Sequence, residues 1–271
     1  MEEWNKLNFY PPKGFNSAEI AFLYNGKASI TGVVSLLIYL ANKGYIKFEE
    51  VEEEGKKVSK SFKIIKLKEY DGDKYNERIF LKEMFGEEIN IDMEKAKEFR
   101  EESRATGEKV GLFKTMEAAI DISERTTVTA RNLRYSFYKT IDKIMRDLNR
   151  EKDKIFEPSA IKIIRKRTSY GNEMLEEIRG FKNFLEIAEQ PQLESLVKQN
   201  PKYFYDMLPY AYALGVLDKW IIKFEKIVIY YPDWYYGGGS FNINDFSNFI
   251  TRTMESAMLA MTTTPYSENR G

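Results

Sequence analysis

The sequence predicts an α+β fold that is mostly α, with winged-helix-like N-terminal modules followed by an α-helical C-terminal module. Three observations carry that expectation. Apolar residues recur at helical spacing in several separate stretches, the longest between Met174 and Ala188. Two period-two stretches, Tyr45–Val51 and Ser61–Leu67, flank the charged, glycine-containing turn EEEGKK and read as a hairpin. Beyond Arg167 the helical patterns are short and punctuated by Pro191, Pro201, Pro209 and Gly215, as in a module of small packed helices. The expected boundaries are 1–70 (winged-helix-like), 71–166 (helical, a second and degenerate winged helix), 167–235 (α-helical) and 236–271 (linker and amphipathic tail helix).

With 43% hydrophobic and 31% charged residues, the chain has the composition of a folded protein and not of a disordered one. Forty-two basic residues balance forty-two acidic ones, so net charge exerts no global pull toward nucleic acid or anionic membrane. The absence of cysteine removes disulfides and thiolate chemistry and fits a reducing compartment. The absence of histidine removes Ser-His-Asp and Cys-His hydrolysis, His-based zinc sites and His phosphotransfer from this chain. The longest weakly polar run, Ala28–Asn42, has fifteen uncharged residues, short of the ~20 that a membrane-crossing helix needs. The acidic and aromatic start, MEEWNKLNFYPP, is not that of a signal peptide.

Taken in order, Phe9–Gly14 is an extended lead-in, because each proline disfavours helix at the residue before it. Ser17 opens a short helix that runs to about Leu23, and Asn25-Gly26 is a turn. From Thr31 a second helix places Val34, Leu37, Ile38 and Ala41 on one face and ends at Lys43-Gly44. Helices that end at a glycine and run into a hairpin follow the order of a winged helix-turn-helix; the alternative is a generic α+β hairpin unit. A recognition helix would need base-reading side chains, and this one offers Asn42 and Lys43. Residues 1–67 carry ten basic and eight acidic side chains, a poor phosphate footprint.

From Tyr75 a helix closes at Gly86, Ile89–Ile91 is extended, and Asp92 caps a further helix. Residues 101–111 are expected to form a polar loop. Thr126–Asn132 is β-branched and polar, and Leu133, Phe137, Ile141, Ile144 and Leu148 then mark an amphipathic helix ending near Asn149. Arg131–Arg167 holds twelve Lys/Arg against five Asp/Glu. From charge alone the reading is a solvated helix face; the sharper reading is a juxtamembrane or nucleic-acid patch around Arg165, Lys166 and Arg167. Further on, Met174, Ile178, Phe181, Leu185 and Ala188 form a long amphipathic helix, and Pro191, Pro201 and Pro209 sit at first-turn positions of short ones. Val216, Trp220, Ile221 and Phe224 share one face, and the aromatics from Phe204 to Phe224 build a core. In the tail, Phe246, Phe249, Ile250, Met254, Met258 and Met261 lie on one helical face. They pack either on this chain or on a partner, as methionine-rich surfaces do.

Several motifs tempt and are set aside. Ser159–Lys162 matches S-x-x-K without the accompanying triplets of serine β-lactam hydrolases. Gly237–Ser240 lacks the lysine and introducing strand of a phosphate cradle and reads as a linker. The acidic runs Glu49–Glu54 and Asp71–Asp73 lack calcium-loop spacing. No catalytic residue, cofactor site or metal site is indicated.

RTSYGNE (167–173), RGFKNF (179–184), LPYAYALG (208–215) and PDWY (232–235), with FYPPKGFNSAEIAFLYNG and LANKGYI nearer the start, carry a resemblance. Over residues 9–235 the chain resembles the cytoplasmic portion of an uncharacterised bacterial family of predicted membrane proteins, domain of unknown function (DUF) 2207. The resemblance implies placement on the cytoplasmic side of the cell membrane and supplies no chemistry. Family members resemble one another in having spans before the RTxYG segment, whereas no span separates Leu148 from Thr168 here. The expectation is therefore a non-enzymatic interaction or scaffolding region of a membrane-anchored protein, binding a protein partner and in reach of an anionic membrane surface. A nucleic-acid-binding winged helix is the alternative.

Overall fold

A computed structural model describes residues 8–53, 59–91, 93–107, 109–158, 166–235 and 242–265. Residues 54–57 of the expected turn EEEGKK, Asp92, Ser159–Arg165 and Gly237–Ser240 thus lie outside the described residues. The chain divides into two units, residues 1–84 with 128–271, and residues 85–127. It is α+β and mostly helical.

The larger unit begins with α1 (Ser17–Asn25), α2 (Ile30–Val34), α3 (Leu36–Asn42), β1 (Ile46–Glu53), β2 (Ser59–Lys66) and α4 (Tyr75–Phe85). A capping box starts α1: the Asn16 side chain accepts from the Glu19 N–H at 3.0 Å, and Glu19 Oε2 accepts from the Asn16 N–H at 2.8 Å. Gly26 ends it with φ 68°, a left-handed conformation. The expected second helix starts one residue earlier than Thr31, under a Ser29 cap. It is interrupted at Ser35, whose buried hydroxyl donates to the Gly32 carbonyl oxygen at 2.6 Å and lies 2.6 Å from the Ser17 hydroxyl. The serine thereby ties α1 to the α2–α3 pair.

β1 and β2 pair antiparallel from Ile46↔Lys66 to Glu53↔Ser59. The period-two pattern decides their faces: Ile46, Phe48, Phe62 and Ile64 are buried, while Glu49 faces outward and pairs with Lys47 and Lys63 at 2.9 and 3.3 Å. A short strand, β5 (Thr127–Thr129), completes the sheet beside β2.

The smaller unit is β3 (Glu87–Ile91), α5 (Met93–Ala105), α6 (Leu112–Ala119) and β4 (Ile120–Glu124), with β3 and β4 antiparallel. Helix α5 persists to Ala105, where a polar loop is expected from Glu101, and α6 and β4 are additional. Helix α4 up to Met84, and the segments from Val128 onward, belong to the larger unit.

There the chain continues as β5 (Thr127–Thr129), α7 (Ala130–Leu133), α8 (Tyr138–Arg150) and α9 (Lys152–Ile155). Tyr135, at φ 66°, breaks the expected continuous helix between α7 and α8. Next come α10 (Ser169–Ile187), α11 (Gln190–Gln199), α12 (Tyr203–Ala213), α13 (Leu217–Ile222) and α14 (Ile243–Thr262). Pro209 lies inside α12 and not at its start. A proline frees the carbonyl four residues back, and that carbonyl, of Tyr205, accepts from the Asn42 side chain.

α14 is no appendage. Phe246 packs against Phe204, Tyr205, Trp234 and Tyr235, Phe249 stacks on Tyr235 at 4.0 Å, and Met254 and Met261 are fully buried. Phe48 of β1, Phe204 and Tyr205 of α12, Trp234, and Phe246 and Phe249 of α14 therefore share one core.

Candidate functional site

Between α9 and α10 the chain doubles back on itself. Phe156 and Arg167 form an antiparallel bridge. The Glu157 N–H donates to the Lys166 carbonyl at 2.9 Å, and the Thr168 N–H to the Ile155 carbonyl at 3.1 Å. The two ends of the stretch between Glu157 and Lys166 are thus held side by side.

The three basic candidates there have different placements. Arg165 lies outside the described residues. Lys166 is exposed, with Nζ 3.7 Å from Glu157. Arg167 turns inward: its guanidinium donates to the carbonyls of Leu23 and Tyr24, each at 3.0 Å, and of Gly171 at 3.3 Å. Leu23 and Tyr24 lie in the last turn of α1, where carbonyls lack helical partners. The guanidinium also lies 5.1 Å from the Phe156 ring centre, and burial draws its pKa down. Arg167 fastens α1 to α10 and is not a free surface charge.

Its neighbours in RTSYG serve the same joint. The Thr168 hydroxyl caps α10, accepting from the Gly171 N–H at 2.9 Å, and donates to the Lys154 carbonyl at 2.9 Å. A Cβ on Gly171 would stand 2.3 Å from the Ile155 carbonyl oxygen, and one on Gly26 would stand 2.5 Å from the Phe156 ring. Each glycine is a close approach that no side chain fits.

The remaining motifs also meet one another. The Tyr210 hydroxyl donates to the Phe15 carbonyl at 3.0 Å, and that of Tyr203 donates to the Phe9 carbonyl. Trp234 Nε1 donates to Asn42 Oδ1 at 2.7 Å. Segments 9–26, 40–46, 167–215 and 232–235 are therefore one connected lattice.

The tail candidates Phe246, Phe249, Ile250, Met254 and Met261 are buried in the chain's own core and Met258 is half-buried. The packing partners explain why the sequence left this open: they come from distant parts of the chain, including Phe48 and Phe204.

A polar cluster that the sequence reading missed sits where α1 meets α4. Asn16 Nδ2 donates to Glu77 Oε1 at 2.8 Å and to Asn76 Oδ1 at 3.0 Å, and the Tyr70 hydroxyl reaches Glu77 Oε2 at 3.2 Å. Lys74 pairs with Glu19 at 2.7 Å. Burial pushes the Glu77 carboxyl up, against the Asn16 and Tyr70 hydrogen bonds, which lower it. Nearby, burial and a hydrogen bond to Asp71 push Tyr45 up to about 12. Glu19 and Lys74 also border a cleft of about 340 Å³ floored by Phe22, Leu23, Leu148 and Ile155. The cluster's polar atoms are spent on each other, which makes it a clasp between elements. Only the capping pattern Asn16-x-x-Glu19 signalled any of it in the sequence.

Among the described residues no group of acidic side chains is arranged to hold a metal ion, and no helix is long and apolar enough to cross a membrane. Residues 159–224 match the family model described as predicted membrane protein (DUF2207) C-terminal domain. Neither the curated proteins nor the solved structures give a match.

Proposed function

We propose, from the match of residues 159–224 to the C-terminal domain of a predicted membrane protein family, that this chain is a non-enzymatic interaction module held at the cytoplasmic face of a membrane. The observation that carries the reading is the paired stem at Phe156–Glu157 and Lys166–Arg167. It brings both ends of the intervening stretch to one place on the body, as two chain segments meeting the same bilayer surface require. Exposed Lys166 stands at that place. The mutual pairing of the Glu19, Lys74, Asn16 and Glu77 groups supports a structural role for them over a catalytic one.

The order α1–α2–α3–β1–β2, with β5 as third strand, favours a winged-helix reading of the first seventy residues. Its use on nucleic acid is disfavoured. Leu36, Leu37, Ile38, Leu40 and Ala41 of α3 are buried, α12 packs on that helix, and Asn42 is committed to Trp234 and Tyr205.

Sedimentation of the full chain with vesicles tests the membrane reading. Binding to vesicles containing phosphatidylserine is expected to be weak and lost at high salt. Replacing Arg165 and Lys166 with Ser should weaken it by about five-fold per residue, from the ~1 kcal/mol that each basic side chain gains near anionic lipid. Arg167 is left in place because it holds α1. Equal sedimentation with neutral vesicles, or no effect of the double change, would remove this support.

A further inference from the structure

After α13 the residues 227–232, Ile-Val-Ile-Tyr-Tyr-Pro, belong to no helix or strand. From Ile227 to Tyr230 their side chains alternate. Ile227 and Ile229 are 8% and 5% exposed, whereas Val228 and Tyr230, at 76% each, are the most exposed large apolar side chains among the described residues. Burial with period two is the signature of a strand that lays one face on a core. Among the described residues the backbone N–H groups of Val228, Ile229 and Tyr230 have no acceptor, and the Tyr230 carbonyl accepts from the Tyr205 hydroxyl, which pins the segment to α12. This is a β-prone edge with its ladder unmade, and such an edge is a template for another strand. The hairpin differs: Lys47, Glu49 and Lys63 blunt its outward face, and Trp234 and Tyr235 bridge the outer side of β1.

We propose that this edge pairs antiparallel with the same edge of a second copy of the chain, giving a two-fold homodimer centred on Ile229. Self-complementarity favours a second copy over an unrelated strand. No charged residue lies between Lys226 and Asp233, so self-pairing sets no like charges opposite one another within the segment. Pairing about Ile229 puts Val228 of each copy opposite Tyr230 of the other, and cross-strand pairs of β-branched and aromatic side chains are favourable. Outward residues then meet outward ones, and Ile227 meets Tyr231, whereas a slip of one residue would set exposed positions against buried ones. The pairing is isologous, so it consumes both edges and closes at two copies. The proposal is independent of the membrane reading.

Sedimentation velocity of the full chain from micromolar to millimolar concentration tests it. The expected result is a concentration-dependent monomer–dimer equilibrium. Val228→Lys with Tyr230→Lys should weaken association by about tenfold or more through loss of the two cross-strand pairs, with an unchanged melting temperature because both side chains are exposed. The chain has no cysteine, so a mixture of the single variants Val228→Cys and Tyr230→Cys should form a disulfide-linked pair on mild oxidation. A mixture of Val228→Cys with Leu259→Cys should not. A monomer at every concentration, a dimer indifferent to the lysines, or equal cross-linking through Leu259→Cys would each overturn the proposal. So would a monomer that instead binds an extended apolar peptide along residues 227–231, which would assign the edge to a strand of another protein.

Discussion

At the scale of single residues, the joint around Arg167 and the clasp around Glu77 do the most with the fewest atoms. Gly171→Ala drives a methyl into the Ile155 carbonyl oxygen, backbone that cannot yield cheaply. A loss of about 3 kcal/mol in denaturant-measured stability is expected, at the upper end for overpacked sites. Arg167→Met should cost about 2 kcal/mol or more, since three carbonyls lose a charged donor. Glu77 answers to pH. Burial raises its folded-state pKa, so its contribution to stability is complete below the unfolded value and is lost as pH rises through the folded one. Tyr70, Glu19, Lys74, Tyr39, Tyr45 and Tyr210 are titratable groups around it, from the loop before α4, α1, the residue before α4, α3, the residue before β1 and α12. Glu77→Gln should therefore melt higher than the parent at neutral pH, and the difference should shrink as the pH is lowered. A difference independent of pH in calorimetry would show that ionisation at this position is immaterial.

At the scale of elements, α14 closes the core of the larger unit from outside the matched segment. Met254→Ala should cost about 2–5 kcal/mol, the usual range for emptying a buried methionine site. Leu259→Ala, on the exposed face of the same helix, should change little, and equal effects in chemical denaturation would contradict the placement of that helix. Elements with a local signature were legible in the sequence. The hairpin could be read from its alternation, α10 from its apolar steps, and α11 from Pro191. What could not be read depended on distant partners. Pro209 looks like a helix start because local rules cannot supply an Asn42 side chain for the freed Tyr205 carbonyl. Trp220 and Phe224 share a helical face in the sequence, yet α13 stops at Ile222, and Ile227 and Ile229 turn inward one after the other. Of the site, the cluster Arg165–Arg167 was visible as charge. That Arg167 points at the end of α1 required knowing where α1 lies.

At the scale of the whole molecule, the two units differ in how much they bury. Along α5 only Ser103 is buried, and Met93 and Leu112 are largely exposed, whereas α12 is buried along most of its length. Amide exchange in α5 and α6 is expected to proceed through openings of low free energy, well before α10 and α12 exchange by global unfolding. Equal protection, measured by mass spectrometry across a denaturant series, would make the chain one cooperative block. The doubled-back stem at Phe156 and Arg167 also governs what can be spliced into this protein. Its two strands stay fastened whatever joins them, so each doubling of the connecting length costs only ~0.6 kcal/mol of closure entropy. A whole fluorescent domain, with its termini close together, is expected to sit between Glu157 and Lys166 without disturbing α9 or α10. That port would make the body a tolerant host for a reporter that reads out what happens to it from a single point on its surface.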